Sequence, residues 1–159
     1  MINGLHHNAW RCRDSEETRR FYEDFLGLPL HNAFEITVTQ TGRETRVLHS
    51  FYRMGDGSFL AFFEAPDRPF EFKAQHDFDL HIALRVDAQT LQRMFDAGRR
   101  AGIETRGISD HGSIHSIYFR DPNGYVVELA APTGASDGDP HTARAALDAW
   151  QRTKPAAGP

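Results

Sequence analysis

An internal repeat constrains the fold of this chain more than any other feature of its sequence. Four residues of the first half recur in the second half at a fixed offset of 74 positions. They are His7, Ala9, Arg11 and Phe21, which recur as His81, Ala83, Arg85 and Phe95. The match preserves the order of a strand-like stretch followed by a helix-like stretch. The repeat therefore favours two copies of one structural unit over a chance similarity.

Each unit begins with a short strand that is followed by an amphipathic helix. The first helix ends at Gly27 and the second at Gly102, as expected because glycine adopts the left-handed conformation that closes many helices. Asp14 or Ser15 is the candidate N-cap of the first helix. The sequence thus predicts one strand and one helix at the start of each half.

The ends of the two halves also match, because each reads as strand, turn, strand. Gly57 lies in the first turn, and the segment Asp-Pro-Asn-Gly ending at Gly124 is a strong turn signal in the second. We predict an α+β fold of two tandem βαβββ modules, at about 1–66 and 78–132, within a single domain. A linker, a short helix and a loose tail follow over 133–159.

The short C-terminal helix has its own capping signals and one apolar face. Asp139 is positioned to cap it and Pro140 to begin it. The residues of the apolar face are Ala143, Ala146, Leu147 and Trp150. Because such a stripe needs a partner surface, we predict a homodimer or a higher homo-oligomer.

The bulk properties exclude several classes of function. The formal net charge of -4 argues against a nucleic-acid partner, and no apolar run approaches the about 18 residues of a membrane-spanning helix. Cys12 is the single cysteine, so an internal disulfide is impossible. We expect a cytoplasmic protein.

Three residues stand at positions suited to hold one metal ion. His7 and His81 lie in the first strand of each half, and Glu128 lies in the last strand of the second half. Two imidazoles and one carboxylate leave open positions on an octahedral ion. This set suits Fe(II) best, and Mn, Co, Ni or Zn are the alternatives.

The repeat also tests for a fourth ligand. Alignment of the two hairpin glycines places Ala61 opposite Glu128, and alanine cannot bind a metal. Glu64 is three residues out of register, and an odd offset puts it on the other strand face unless a bulge intervenes. Glu64 stays open as a fourth ligand or as a base.

Three segments resemble the vicinal oxygen chelate superfamily, the glyoxalase, bleomycin-resistance and extradiol-dioxygenase group. They read LHHNAWRCRDSEETRRFYEDFLGL, DLHIALRV and HGSIHSIYFRDPNGYVVELAAP, and they span about 5–132. The resemblance implies paired βαβββ modules that form a half-barrel around one metal. It also carries the metal ligands over as His7, His81 and Glu128.

Within that superfamily the last hairpin is most similar to that of the extradiol ring-cleaving dioxygenases. In that group a tyrosine ten positions before the ligand glutamate contacts the substrate, and Tyr118 stands ten positions before Glu128. His111 or His115 is then the acid-base group. The resemblance implies an Fe(II) enzyme that cleaves a catechol-like diol with O2.

Two other functions remain open on the same scaffold. One is a metal-dependent lyase, isomerase or epimerase of the glyoxalase type, with Glu64 as its base. The other is a non-enzymatic protein that binds a drug. Several phenylalanines around the end of the first half also suggest an aromatic or apolar substrate, and they are Phe59, Phe62, Phe63, Phe70, Phe72 and Phe78.

Overall fold

A computed structural model describes residues 1–154 of the chain. The predicted loose tail continues into 155–159, which lie outside the described residues. In the described part, two four-stranded sheets and three α-helices follow one another along the chain, as the sequence predicts. No helix among residues 1–154 is long and apolar enough to cross a membrane.

The first module contains one parallel and two antiparallel strand pairs. Its elements are β1 (Trp10–Cys12), α1 (Ser15–Arg19) with a π-helical continuation (Arg20–Phe25), β2 (Leu30–Val38), β3 (Glu44–Arg53) and β4 (Phe59–Glu64). The strand order in the sheet is β1-β4-β3-β2, with β1 parallel to β4. A crossover through the helix makes this parallel pairing possible.

The second module repeats this topology. Its elements are β5 (His81–Arg85), α2 (Ala88–Arg100), β6 (Thr105–Asp110), β7 (Ile114–Arg120) and β8 (Val126–Pro132). The strand order is β5-β8-β7-β6, with β5 parallel to β8. The prediction of two βαβββ modules is confirmed. The extra residues of the first half lengthen the hairpin of β2 and β3.

Capping side chains fix where the helices begin. Asp14 accepts a hydrogen bond from the backbone N–H of Glu17 at 2.8 Å, so Asp14 rather than Ser15 is the N-cap of α1. The last helix, α3 (Pro140–Thr153), begins after Asp139, which accepts from two backbone N–H groups of its first turn. Its predicted apolar face stays exposed in one copy of the chain.

The two modules share one buried core, which contains residues of both sheets and of the helices that pack on them. Leu60 and Phe62 of β4 and Val127 and Leu129 of β8 belong to the same buried cluster. Because side chains alternate along a strand, the neighbours of these residues point away from that core. Ala61 and Glu128 therefore lie on sheet faces that are turned away from the shared core.

A buried polar cluster at the last hairpin joins the two modules. Asp121 accepts hydrogen bonds from the hydroxyl of Tyr22 at 3.0 Å and from the backbone N–H of Tyr125 at 2.8 Å. Asn123 accepts from the backbone N–H of Arg13 at 2.9 Å. Burial raises the pKa of the Asp121 carboxyl, and the hydrogen bonds to its oxygens oppose that rise. The turn therefore also fixes how the modules pack.

At Gly98, α2 packs closely against β6 and β7. A Cβ atom there would stand under 3.0 Å from the side chains of Thr105 and Phe119. We expect Gly98→Val to destabilise the fold by about 2 kcal/mol in urea unfolding, because the core has no room for the side chain. Gly55→Val is the control, since a Cβ at Gly55 meets nothing within 4 Å. Equal losses in the two variants would contradict this packing.

Candidate metal centre

Glu128 and His81 meet on the open face of the second sheet. The pairing of β5 with β8 sets Ala83 beside Glu128, and it brings the Nε2 atom of His81 to 3.1 Å from Oε2 of Glu128. The carboxylate is buried, with only 4% of the residue exposed, whereas the imidazole is part-exposed. These are two of the three predicted ligands, and we call them the His81–Glu128 pair.

A backbone contact orients the imidazole of this pair. The Nδ1 atom of His81 lies 2.6 Å from the carbonyl oxygen of Asp77, so Nδ1 carries the donating hydrogen. In the neutral ring, the Nε2 atom then presents its lone pair to a carboxylate oxygen of Glu128. Two facing lone pairs repel unless a proton or a metal cation lies between them. The donor set therefore fits a divalent cation.

Ser116 holds the other oxygen of the carboxylate. Its hydroxyl donates to Oε1 of Glu128 at 2.5 Å, and both side chains are buried. Ser116 lies on β7 directly opposite Ala130, two residues beyond Glu128 on the same face. The hydroxyl leaves Oε2 free to face His81.

Removal of the Ser116 hydroxyl tests this orientation. We expect Ser116→Ala to weaken Mn(II) binding about tenfold, because outer hydrogen bonds orient ligand carboxylates. The change is measured by Mn(II) electron paramagnetic resonance titration. Ser113→Ala, on the same hairpin, is the control. Unchanged affinity in Ser116→Ala would show that the hydroxyl does not position Glu128.

His7 lies at the equivalent place in the first module. It forms a parallel bridge with Phe59, as His81 does with Val126. The strand registers put Ala61 opposite Phe51, and Glu128 opposite Tyr118. Ala61 thus occupies the position of Glu128, as the repeat predicts.

Glu64 does not lie on the His7 face. It pairs with Leu48, and its carboxylate accepts from the backbone N–H of Ser15 at 2.7 Å, at the start of α1. No bulge interrupts β4 between Ala61 and Glu64. Glu64 therefore stabilises a helix terminus, and the structure does not support it as a fourth ligand or as a base.

His7 and the His81–Glu128 pair do not come together within one copy of the chain. Among residues 1–154, no group of three His, Cys, Asp or Glu side chains is arranged to hold a metal ion. The reason is geometric: His7 and Glu128 lie on faces that both turn away from the core between the modules. One chain thus carries His7 on one open sheet and the His81–Glu128 pair on another.

Tyr118 and His111 form a hydrogen-bonded pair beside Glu128. Tyr118 lies directly opposite Glu128 on β7, and its hydroxyl is 2.9 Å from Nε2 of His111. Partial burial raises the pKa of the Tyr118 hydroxyl, and the Glu128 carboxylate adds to the rise. The guanidinium of Arg106 lies 5.2 Å from the centre of the Tyr118 ring.

His115 is not brought to this site. It is an odd number of residues from Tyr118, so it lies on the opposite face of β7. Its imidazole is instead 3.7 Å from the carboxylate of Asp110. Of the two histidines predicted as acid-base groups, the structure places only His111 next to Tyr118.

Sequence reasoning missed several residues of the two open faces. Ser116 and Asp77 were not singled out, although both contact the His81–Glu128 pair. Phe51 and His49 on the first face were also missed. The hairpin alignment that identified Ala61 would have found them, because it sets Phe51 at the place of Tyr118.

Residues 4–129 match the family model described as "Glyoxalase/Bleomycin resistance protein/Dioxygenase superfamily". The chain belongs to this superfamily. The match includes both modules and the three predicted ligand positions. The predicted membership in the vicinal oxygen chelate group is confirmed.

The chain is similar to two curated proteins and to one solved structure. The chain is 27% identical to metallothiol transferase FosB of Shouchella clausii, covering 84% of this chain and 83% of that protein. It is 28% identical to a probable lactoylglutathione lyase of Vibrio parahaemolyticus, covering 87% and 98%. The structure of the fosfomycin resistance protein FosX of Listeria monocytogenes, complexed with Mn(II) and 1S,2S-dihydroxypropylphosphonic acid, has a TM-score of 0.59, 19% identity and coverages of 84% and 96%.

These relatives favour a different activity from the predicted ring cleavage. The two curated relatives are named as a transferase and a lyase, and neither name describes an extradiol dioxygenase. The glyoxalase-type alternative therefore fits the comparisons better than the leading prediction. Neither Fe(II) nor the breakdown of catechols gains support from them.

Proposed function

We propose that this protein is a divalent-metal enzyme of the glyoxalase type that catalyses a non-oxidative lyase or isomerase reaction. The observation that carries the proposal is the His81–Glu128 pair, in which an imidazole lone pair faces a buried carboxylate oxygen at 3.1 Å. A cation bound between the two groups would compensate the buried carboxylate. Its substrate is a small molecule with two adjacent oxygens.

His7, His81 and Glu128 would hold the metal. A divalent ion held there would supply Lewis-acid chemistry to a substrate oxygen. Mn(II) is present in the structurally similar FosX of Listeria monocytogenes, so Mn(II) is the first ion to load. The predicted preference for Fe(II) is not part of this proposal, because a non-oxidative reaction does not require a redox-active ion.

A second copy of the chain completes the site. His7 lies on the open face of the first sheet, and the His81–Glu128 pair lies on the open face of the second sheet. Both faces are turned away from the shared core. If the first sheet of one copy faces the second sheet of its partner, the three ligands come together and both faces become covered. The homodimer predicted from the C-terminal helix then has a direct role in metal binding.

The proton transfer of the reaction falls to Tyr118 and His111. Tyr118 is protonated at neutral pH, because an ordinary tyrosine has a pKa of about 10 and burial raises that of Tyr118 further. Its hydroxyl donates a hydrogen bond to a substrate oxygen. His111 takes up or returns a proton through Nε2, which lies 2.9 Å from that hydroxyl. Tyr118 and His111 take the role of base that the sequence suggested for Glu64, because the Glu64 carboxylate is bound to the first backbone N–H group of α1.

Metal substitution tests the proposed reaction class. Protein loaded separately with Mn(II), Zn(II) or Fe(II) is offered the hemithioacetal of methylglyoxal and a thiol, and a panel of catechols in an oxygen electrode. We expect turnover of the hemithioacetal with Mn(II) or Zn(II) and no oxygen uptake. Tyr118→Phe should slow it about 100-fold, which is within the usual range for a proton-transfer group. Turnover of a catechol only with Fe(II) and with oxygen uptake would contradict the proposal.

A further inference from the structure

Aromatic rings cover the sheet face around His7. The Phe51 ring stands edge-on to His7 at 5.6 Å between ring centres, and it stacks on Phe34 at 5.9 Å with an interplanar angle of 23°. The rings of Phe59 and His49 contact Phe51 at 5.9 and 4.2 Å. We call this set the aromatic wall, and its members are Phe34, Phe51, Phe59, Phe63 and His49.

The aromatic wall is held in place at the buried residue His49 and is exposed at Phe34. His49 is buried, stacks on Phe63 at 3.8 Å, and is fixed through Nδ1 by the carbonyl oxygen of Phe62 at 2.9 Å. Phe34, in contrast, is 44% exposed. A rigid apolar surface loses little entropy when a ligand binds, so the wall is organised before binding.

The middle of this face carries little charge. Along β3 and β4, the residues that share the face of Phe51 are aromatic or small, and the basic residue Arg53 stands at the end of β3. Arg11, on β1, directs its guanidinium to the backbone carbonyls of Ala65 and Arg68. The polar groups next to His7 are imidazoles, and the closest is that of His6, whose Nδ1 atom lies 2.7 Å from Nδ1 of His7. A planar uncharged ring would find several stacking partners.

We propose that the substrate carries an aromatic ring next to its two metal-binding oxygens, and that this ring stacks on Phe51 and Phe34. This inference rests on the proposed metal site, because His7 beside Phe51 sets where the oxygens go. The aromatic wall then selects among substrates that share the same chelating group. Stacking of this kind corresponds to about a tenfold gain in affinity.

Mandelate and lactate provide a matched pair of probes. Both present a hydroxyl and a carboxylate on adjacent carbons, and they differ in a phenyl group against a methyl group. Each is titrated into the intact protein by calorimetry with Mn(II), and by saturation-transfer NMR without metal. We expect mandelate to bind about tenfold more tightly than lactate to the Mn(II)-loaded protein, and only mandelate to show saturation transfer without metal.

Two variants locate the preference on the aromatic wall. Phe34→Ala, at an exposed position outside the buried core, and Phe51→Leu should each weaken mandelate binding far more than lactate binding, and so remove most of the preference for mandelate. Phe72→Leu, an exposed phenylalanine of the linker, is the control and should keep the preference.

The two readouts separate this inference from the proposed function. If Mn(II) does not bind, the metal proposal fails, while saturation transfer to mandelate that is lost in Phe34→Ala still supports the aromatic wall. Equal affinity for mandelate and lactate with Mn(II) bound, or a preference that survives in both Phe34→Ala and Phe51→Leu, would overturn the inference.

Discussion

Glu128→Gln should weaken Mn(II) binding at least about 100-fold. Glutamine keeps the volume of the side chain and can still accept from Ser116, but it removes the charge that faces His81. Loss of a ligand should exceed the about 10- to 100-fold effect of losing an outer hydrogen bond. Mn(II) titration followed by electron paramagnetic resonance measures the change directly.

Glu64→Gln is the matched control for this substitution. Glu64 is the glutamate three residues beyond the position equivalent to Glu128, and it serves the N-terminus of α1 through Ser15. Its substitution should leave Mn(II) affinity unchanged and cost about 1 kcal/mol of unfolding free energy. If Glu64→Gln lost as much Mn(II) affinity as Glu128→Gln, the assignment of the metal site to the sheet face of Glu128 would be wrong.

Asp121→Ala should reduce the unfolding free energy by about 3 kcal/mol. The substitution leaves the buried hydroxyl of Tyr22 and the backbone N–H of Tyr125 without their acceptor. Unpaired buried donors are among the costliest defects in a core. This loss is larger than is usual for a turn residue, because the Asp121 carboxylate also binds Tyr22 of the other module. Urea unfolding followed by circular dichroism measures it.

Asp67→Ala, at an exposed turn, is the control for Asp121→Ala and should change stability by less than about 0.5 kcal/mol. Tyr22→Phe tests the link between modules separately, since it removes one hydroxyl and keeps the ring. We expect a loss of about 1 kcal/mol in that variant. A loss in Asp121→Ala no greater than in Asp67→Ala would show that the buried cluster does not hold the modules together.

The repeat made most of each module predictable. Strand and helix order follow from local signals, and the observed register confirms that Ala61 and Glu128 are equivalent positions. Alternation along β4 was enough to expect Glu64 on the other face. The π-helical continuation of α1 was not predictable, because its residues have the same spacing of apolar side chains as an ordinary helix.

The packing of the two modules was beyond sequence reasoning. The same strand patterns allow His7 to face Glu128 within one chain or across two chains, because alternation defines faces and not the partner of a face. Contacts such as Tyr22 with Asp121 decide between the arrangements, and they join residues 99 positions apart. For the same reason, the sequence left His111 and His115 as equal candidates. In the structure His111, in the turn before β7, contacts Tyr118, and His115 lies on the other face of β7.

Mixed dimers provide the most direct test of a metal site shared between two copies. His7→Ala and Glu128→Ala are co-expressed with different affinity tags, and the heterodimer is isolated and titrated with Mn(II). Each homodimeric variant should lack tight Mn(II) binding, while the heterodimer should regain one tight site per dimer, since one of its two sites then contains His7, His81 and Glu128. A heterodimer that binds no Mn(II) tightly, although the wild-type protein does, would show that each chain builds its site alone and would contradict this account.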